Sequence, residues 1–259
     1  MGNEIEHKIV RIKEKKIYKE KFCFLTTENR FLSNPLPGQF IHIRIESVFL
    51  RRPFSIAEFS SKTMSIFFQL KGKGTSSLSQ KNRGENIDVI GPVGNSFPYE
   101  RFKENILVVA GGIGIAPMIF LSSELLKTKK KFSFFHGAQN KNSLLNFFLP
   151  EGISPVIIST DDGSKGKKGK ITDILEDYLK KEKVDVIFAS GPYFMLKKTA
   201  EISTRFNIPC YVSMENRMFC GTGVCQGCVI ETKDGFQKVC TDGPVFDAEQ
   251  IRWKDIPYA

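Results

Sequence analysis

Hydrophobic and polar positions divide the chain into two regimes. In the first hundred residues, short apolar or alternating runs occur at 17–26, 39–46, 64–70 and 86–90, the period-two pattern of strands. Breaks rich in Pro and Gly separate them at 34–38, 72–74 and 91–95. Strands at this spacing, parted by turn residues, predict an antiparallel barrel. Near Phe102 the pattern changes. A wholly apolar run at 106–110 has the size of a buried strand, and a glycine turn and a helical stretch over 115–127 follow it. Strands are then expected at 132–136, 155–159, 184–190 and 210–213, and helices at 143–148, 171–180 and 193–206. Such alternation predicts a parallel sheet with helices on both faces. From Met214 the alternation stops. A loop rich in glycine and cysteine leads into two short strand-like runs, 229–232 and 237–239.

The expected fold is therefore multidomain. An antiparallel β-barrel domain spans 1–100, an α/β parallel-sheet nucleotide domain spans 101–212, and a small C-terminal β-rich domain spans 213–259 around the cysteines. The length of 259 residues and the 41% hydrophobic content suit this division and leave enough apolar surface for sizeable cores. No disulfide staples are needed to explain folding.

Charge changes the picture little. The net charge of +10 comes from scattered lysines and arginines, with short clusters at 127–131 and 165–170. No basic run is interleaved with aromatics as a nucleic-acid stacking platform requires, so nucleic acid is not an expected partner. The basic balance reads as solvated surface, or as steering of anionic ligands or an acidic partner. The start, MGNEIEHKIV, is polar and unlike a signal peptide. No apolar run approaches the roughly 20 residues of a membrane span. A cytoplasmic location is expected. Six cysteines in such a chain argue against a disulfide framework.

Four of those cysteines carry the strongest chemistry. Cys220, Cys225 and Cys228 stand in Cys-Gly-Thr-Gly-Val-Cys-Gln-Gly-Cys, and Cys240 follows an apparent hairpin. The spacing C-x4-C-x2-C…C is that of a plant-type [2Fe-2S] site, in which four thiolates converge on two irons. The intervening glycines let the backbone approach closely and aim N–H groups at sulfur. Zinc is the competing reading, but it favours short C-x2-C knuckles, and the first spacing here is four. Cys23 and Cys210 lie in apolar strand-like runs and read as core residues.

Two further segments bear on ligands. Arg51-Arg52-Pro53-Phe54-Ser55-Ile56 follows the 39–46 strand. Alone it is compatible with an ordinary strand bearing exposed arginines. It resembles the Arg-x-Tyr/Phe-Ser motif of the ferredoxin reductase superfamily. That resemblance implies that Arg52 pairs with an FAD pyrophosphate, that Phe54 packs on the isoalloxazine, and that Ser55, after Pro53, hydrogen-bonds its edge. Phe67, Phe68 and Gln69 precede Gly72-Lys73-Gly74-Thr75. There Gly74, Thr75 and a helix start would present N–H groups to a second phosphate contact. Gln69 stands where the family usually has arginine.

The second segment is the turn Ala110-Gly111-Gly112-Ile113-Gly114, placed between a buried strand and a helix. Gly111, Gly112 and Gly114 would let a pyrophosphate rest at the helix N-terminus. It is not a G-x-G-x-x-G sequence, but it resembles the pyridine-nucleotide turn of the same superfamily. The turns at 160–164 and 190–192 also follow strands. Asp161 and Asp162 could accept from ribose hydroxyls or could simply cap a turn, and the nearby lysines could instead meet a 2′-phosphate.

Taken with Thr-Asp-Asp-Gly-Ser at 160–164, Ser-Met-Glu-Asn-Arg-Met-Phe-Cys-Gly-Thr-Gly at 213–223 and Cys-Thr-Asp-Gly-Pro-Val-Phe at 240–246, nearly the whole chain resembles the electron-transfer subunits of type B dihydroorotate dehydrogenases. In related subunits of NADH-dependent ferredoxin–NADP reductases the position of Cys220 is Asp. The resemblance implies FAD and a [2Fe-2S] cluster as cofactors, with NAD as substrate. It also implies a separate FMN-containing catalytic subunit in a two-plus-two heterotetramer. Electrons from dihydroorotate would pass through cluster and FAD to NAD⁺ in pyrimidine biosynthesis. The alternative is a homologous subunit of a ferredoxin–NADP reductase, sulfide dehydrogenase or hydrogenase complex. No general base is implied, and His7, His42 and His136 read as surface or structural residues. The cluster loop, 219–226, is expected to face the partner.

Overall fold

The computed structural model describes residues 5–254. Residues 1–4 and 255–259, the outer ends of the expected first and third domains, lie outside the described residues. Six strands, β1 (Glu6–Tyr18), β2 (Phe22–Glu28), β3 (Phe40–Arg44), β4 (Arg52–Phe59), β5 (Thr63–Gln69) and β6 (Asn86–Val93), close an antiparallel barrel in the order β1-β2-β5-β4-β3-β6. Its one α-helix is α1 (Lys73–Gln80). Ile41, Ile43 and Ile45 point into the barrel core with Val10, Leu25, Phe54, Ile56 and Phe68. Period two then turns Phe40 and His42 outward. The run expected at 17–26 is the end of β1 and most of β2, joined through Lys19 and Glu20, both at positive φ. The earlier part of β1 escapes pattern reading because Lys13, Glu14, Lys15 and Lys16 interrupt its apolar alternation.

The second unit runs β7 (Ile106–Gly111), α2 (Ile115–Lys127), β8 (Phe132–Ala138), β9 (Val156–Thr160), β10 (Lys167–Lys168), α3 (Ile171–Leu179), β11 (Val186–Ser190), α4 (Tyr193–Arg205) and β12 (Cys210–Ser213). Helix α2 is buried along most of its length. Met118 and Ile119 pack into the core under the sheet and Phe120 into the barrel core. A helix held between two layers needs apolar residues all round. The helix expected over 143–148 is instead two 3-10 turns, Lys141–Ser143 and Asn146–Phe148. The Asn140 side chain accepts the N–H groups of Asn142 and Ser143 there, a side-chain cap that holds a turn rather than a helix.

Beyond β12 the chain forms the cysteine loop, the hairpin β13 (Val229–Thr232) and β14 (Gly235–Lys238), and β15 (Val245–Asp247). Strand β15 pairs antiparallel with β12, completing a seven-stranded sheet ordered β10-β9-β8-β7-β11-β12-β15. The segment expected to stand apart as 213–259 thus returns to the nucleotide sheet. A run of three residues is too short for periodicity to announce it. The barrel also grips this segment: Asn95 Nδ2 donates to the carbonyls of Asp242 and Val245, at 2.9 and 2.8 Å, and Asn95 Oδ1 accepts the Val245 N–H.

Candidate functional site

The cysteine loop is ordered by its own backbone. The N–H groups of Thr222 and Cys225 donate to Cys220 Sγ, that of Gly227 to Cys225 Sγ, and that of Cys240 to Cys228 Sγ, each at 3.4 Å. Gly221 and Gly223, at φ +72° and +85°, make the tight path possible. Backbone N–H groups thus meet the sulfurs of Cys220, Cys225 and Cys228. Burial pushes the Cys220 thiol up, but the N–H groups of Cys225 and Thr222 outweigh it and bring the thiol down to about 6. Burial, together with its partner Cys228, pushes Cys240 up to about 12. Among the described residues, no three His, Cys, Asp or Glu side chains converge as a cage for one ion. The C-x4-C-x2-C…C spacing, with backbone N–H groups aimed at sulfur, fits four thiolates shared between two irons better than the short paired knuckles of a zinc site. Cys23 and Cys210 are buried away from them, and burial raises each thiol to about 12.

The Arg52–Ser55 segment is the start of β4, and the strand splits its residues between two faces. Phe54 points into the barrel, where its ring meets Phe68 at 5.0 Å between centroids. It does not offer that ring to a ligand outside, contrary to the expectation for a flavin-packing aromatic. Pro53 and Ser55 lie on the opposite face, directly across from His42 and Phe40 of β3. Arg51 pairs with Asp88 at 2.8 Å. The Arg52 guanidinium instead donates to the carbonyls of Leu50 and Arg51, and its Cγ lies 3.7 Å from where a Cβ on Gly74 would fall. Arg52 thus flanks the first turn of α1, whose leading N–H groups have no intrahelical acceptor. The Thr75 hydroxyl is spent inside that turn, accepting from the N–H groups of Lys71 and Gly72. Phe67 is buried against Phe22, Phe24 and Phe148.

Across from the barrel lies a cleft of about 1070 Å³, lined among others by Gln69, Gly111, Gly112, Gly114, Asp161, Tyr193, Phe194 and Glu215. It opens at the C-terminal ends of β7, β8, β9, β11 and β12, where parallel sheets bind ligands. The turn at Gly111–Gly114 is pressed against the turn at Ser190–Pro192. A Cβ on Gly111 would fall 2.5 Å from Met195 Sδ and 2.7 Å from Pro192 Cδ. Asp162 accepts the Ser164 N–H and is committed to its turn, whereas Asp161 lines the cleft.

Four more residues adjoin the site, none of them among the candidate site residues the sequence pointed to. Lys21 and Lys71 line the cleft. Glu215 also faces it, and the surrounding protein raises its carboxyl above the usual range, while Lys71 pulls the other way. Its place just past the C-terminal end of β12 was the available signal. His42 is fully buried under the cysteine loop; burial, and after it Arg51, push the ring down to about 4.

Comparison with known proteins agrees with this geometry. Residues 215–252 match the iron-sulfur cluster binding domain of dihydroorotate dehydrogenase B. The dihydroorotate dehydrogenase B (NAD(+)) electron transfer subunit of Caldanaerobacter subterraneus subsp. tengcongensis is 37% identical over 84% of this chain and 87% of that protein. The subunit of Geobacillus kaustophilus is 39% identical over 83% and 86%. A Thermotoga maritima homolog is 32% identical over 99% and 91%. Among solved structures, the NADH-dependent reduced ferredoxin-NADP oxidoreductase superposes with a TM-score of 0.86 at 29% identity, covering 94% of this chain and 90% of that one. Identity at this level along most of both chains, together with the matched cysteine domain, means that the chain belongs to the family of dihydroorotate dehydrogenase B (NAD(+)) electron transfer subunits.

Proposed function

We propose that the chain carries electrons from a partner's oxidation of dihydroorotate, through a [2Fe-2S] cluster and FAD, to NAD⁺ in pyrimidine biosynthesis. The observation that supports this best is a cysteine loop whose backbone N–H groups meet its sulfurs, packed through Gly221 on the barrel wall that bears Pro53 and Ser55. Cys220, Cys225, Cys228 and Cys240 hold the cluster. The Arg52 guanidinium and the first turn of α1, at Gly74 and Thr75, hold the FAD diphosphate, where the guanidinium fork and helix N–H groups match phosphate oxygens. Ser55 supplies a hydroxyl on the outer face. The turn at Gly111, Gly112 and Gly114 holds the NAD diphosphate, with Asp161 placed for ribose hydroxyls. When bound, FAD supplies the exchange between two-electron hydride chemistry and the one-electron chemistry of the cluster. The residues of this chain bind and orient.

The partner is an FMN-containing catalytic subunit, in an assembly of two plus two chains in the cytoplasm. It docks on the cluster loop, where Phe219 and Val224 expose 45% and 81% of their surface. The similarity to the ferredoxin-NADP oxidoreductase favours a second reading, a subunit of a complex of that kind. Cys220, at the position where those subunits carry Asp, weighs against it.

The test is a visible absorption spectrum with iron, sulfide and zinc analysis, on protein purified without air. Flavin bands with about two irons and two sulfides per chain are expected, with NADH oxidation and co-purification of a dihydroorotate-oxidising flavoprotein. Zinc without flavin overturns the proposal.

A further inference from the structure

The wall between the flavin segment and the cluster loop has one side chain at its centre. His42 lies in the middle of β3, opposite Pro53 of β4 and next to the Phe40–Ser55 pair. Directly opposed residues in adjacent strands share a face, with Cβ atoms about 5 Å apart. That face is the outer one, since Ile41 and Ile43 occupy the barrel interior. The His42 ring therefore stands beside the two outward residues of the flavin segment.

Its other side meets the cluster loop. A Cβ on Gly221 would fall 2.5, 2.6 and 2.8 Å from Cε1, Nε2 and Cδ2 of His42. The flat ring thus lies against bare backbone, one residue from Cys220. Nε2 also contacts Met218 Sδ at 3.5 Å. The ring is fully buried, and among the described residues Nδ1 has no hydrogen-bond partner. A barrel wall alone does not explain a histidine here, because an unpaired buried polar atom is a cost. Its ring fills the space that a side chain on Gly221 would need.

We infer that His42 is the positioning residue that seats the cluster loop on the barrel wall and so fixes the cluster relative to the flavin segment. This rests on the function proposed above. His42 binds neither cofactor; it sets the distance between their sites through its contact with Gly221.

The test uses the complete chain purified without air, as wild type, His42→Ala and His42→Phe. Three things are read: flavin content with flavin reduction by NADH, the electron paramagnetic resonance spectrum and midpoint potential of the reduced cluster, and the rate at which electrons pass from flavin to cluster. Removing the ring is expected to leave flavin content and flavin reduction near wild type. The cluster spectrum should broaden and the potential shift. Flavin-to-cluster transfer should be measurably slower than in the wild type, because the rate of electron passage falls as the separation of the two groups grows. The planar Phe should restore most of the spectrum. An Ala variant with wild-type spectrum, potential and transfer rate overturns the inference. So does equal loss of flavin and cluster in both variants, which would make His42 a general folding residue. A wild-type protein lacking flavin or cluster would instead overturn the proposed function.

Discussion

Gly112 and Gly114 sit two residues apart in the same turn, yet alanine at each should fail for different reasons. At Gly114 the backbone is ordinary right-handed, φ −59°, so a side chain costs nothing conformationally. A Cβ there would lie 2.5 Å from Ser190 O and 2.6 Å from Gly191 N and Cα. All are backbone atoms of the neighbouring strand end and cannot rotate away. Overpacking of this kind costs about 1–3 kcal/mol, and Gly114→Ala belongs near the top of that range. At roughly 2–4 °C per kcal/mol for a chain of this size, the melting temperature should fall by roughly 6–12 °C. At Gly112 the situation is reversed. No heavy atom lies within 4 Å of its Cβ position, but φ is +52°, which costs about 1–2 kcal/mol for an L-residue. The added methyl would enter the open cleft at the N-terminus of α2, where a diphosphate would rest. Displacing one charge-assisted hydrogen bond costs about 1.5–3 kcal/mol, or roughly a tenfold to hundredfold loss of affinity. The assay is thermal unfolding at fixed flavin load, beside titration of NADH. Gly112→Ala should weaken NADH out of proportion to its effect on melting. Gly114→Ala should lower melting first. A Gly112→Ala protein that binds NADH as tightly as wild type would refute the placement of the dinucleotide at this turn.

Other expectations are as direct. Cys240→Ser should remove or deplete iron and sulfide while flavin stays, measured by metal analysis beside the flavin absorbance. Arg52→Gln should weaken FAD by roughly tenfold to a hundredfold, the loss of one charge-assisted hydrogen bond. Arg51→Gln should weaken it less, because Arg51 is already paired with Asp88; FAD titration of the apoprotein decides, and the reverse order would refute the assignment. His136 is fully buried, and burial lowers its ring to about 4, partly offset by its contact with the Gly112 carbonyl. The folded state then binds fewer protons than the unfolded one. Stability should be complete above the unfolded value of 6.5 and be lost as pH falls through 6.5 toward 4, by at most about 3 kcal/mol. Urea unfolding across that range should show an acid limb that His136→Phe flattens by about one proton.

How much was legible follows from what pattern each feature leaves. Helices α2 and α4 were legible to within a residue, and β8, β9 and β11 to within two, because long apolar stretches bounded by Gly and Pro carry both period and punctuation, whereas the two-residue β10 leaves no pattern. The cluster-binding character of the C-terminal segment, matched over 215–252, was legible because ligand spacing is local. The facing of Phe54 was not. A motif identifies residues, but which side of a strand each occupies depends on where the barrel core lies, and Ile56 and Phe68 draw Phe54 inside. Gly74 and Thr75 were placed correctly at a helix start, yet the Thr75 hydroxyl serves the helix cap rather than the outside. Glu215, inside the 213–223 segment, and His42, read as a surface or structural residue, were given no place at the site because their surroundings are assembled from segments far apart in sequence.

That assembly bears on how the parts can move. The cysteine loop leaves from the end of β12 and returns through β15, which pairs with β12 itself. Both ends of the loop are therefore fixed to the nucleotide sheet. Its return passes the barrel, where the Asn95 side chain makes three hydrogen bonds to the 242–245 backbone and the Asn95 N–H donates a fourth to the Gly243 carbonyl. A Cβ on Gly94 would fall 2.5 Å from Pro244 Cδ. The barrel and the sheet are thus joined through the cluster segment as well as through the 93–106 connection. On the far side, Lys19 donates to the carbonyls of Lys141, Asn142 and Leu144, while Phe24 stacks on Phe148. With contacts at both ends, rotation of one unit against the other would have to break hydrogen bonds and expose buried aromatic surface. If electrons pass between cluster and flavin as proposed, that passage needs no domain rotation, and the open cleft between the glycine turn and Glu215 is where a ligand can enter and leave.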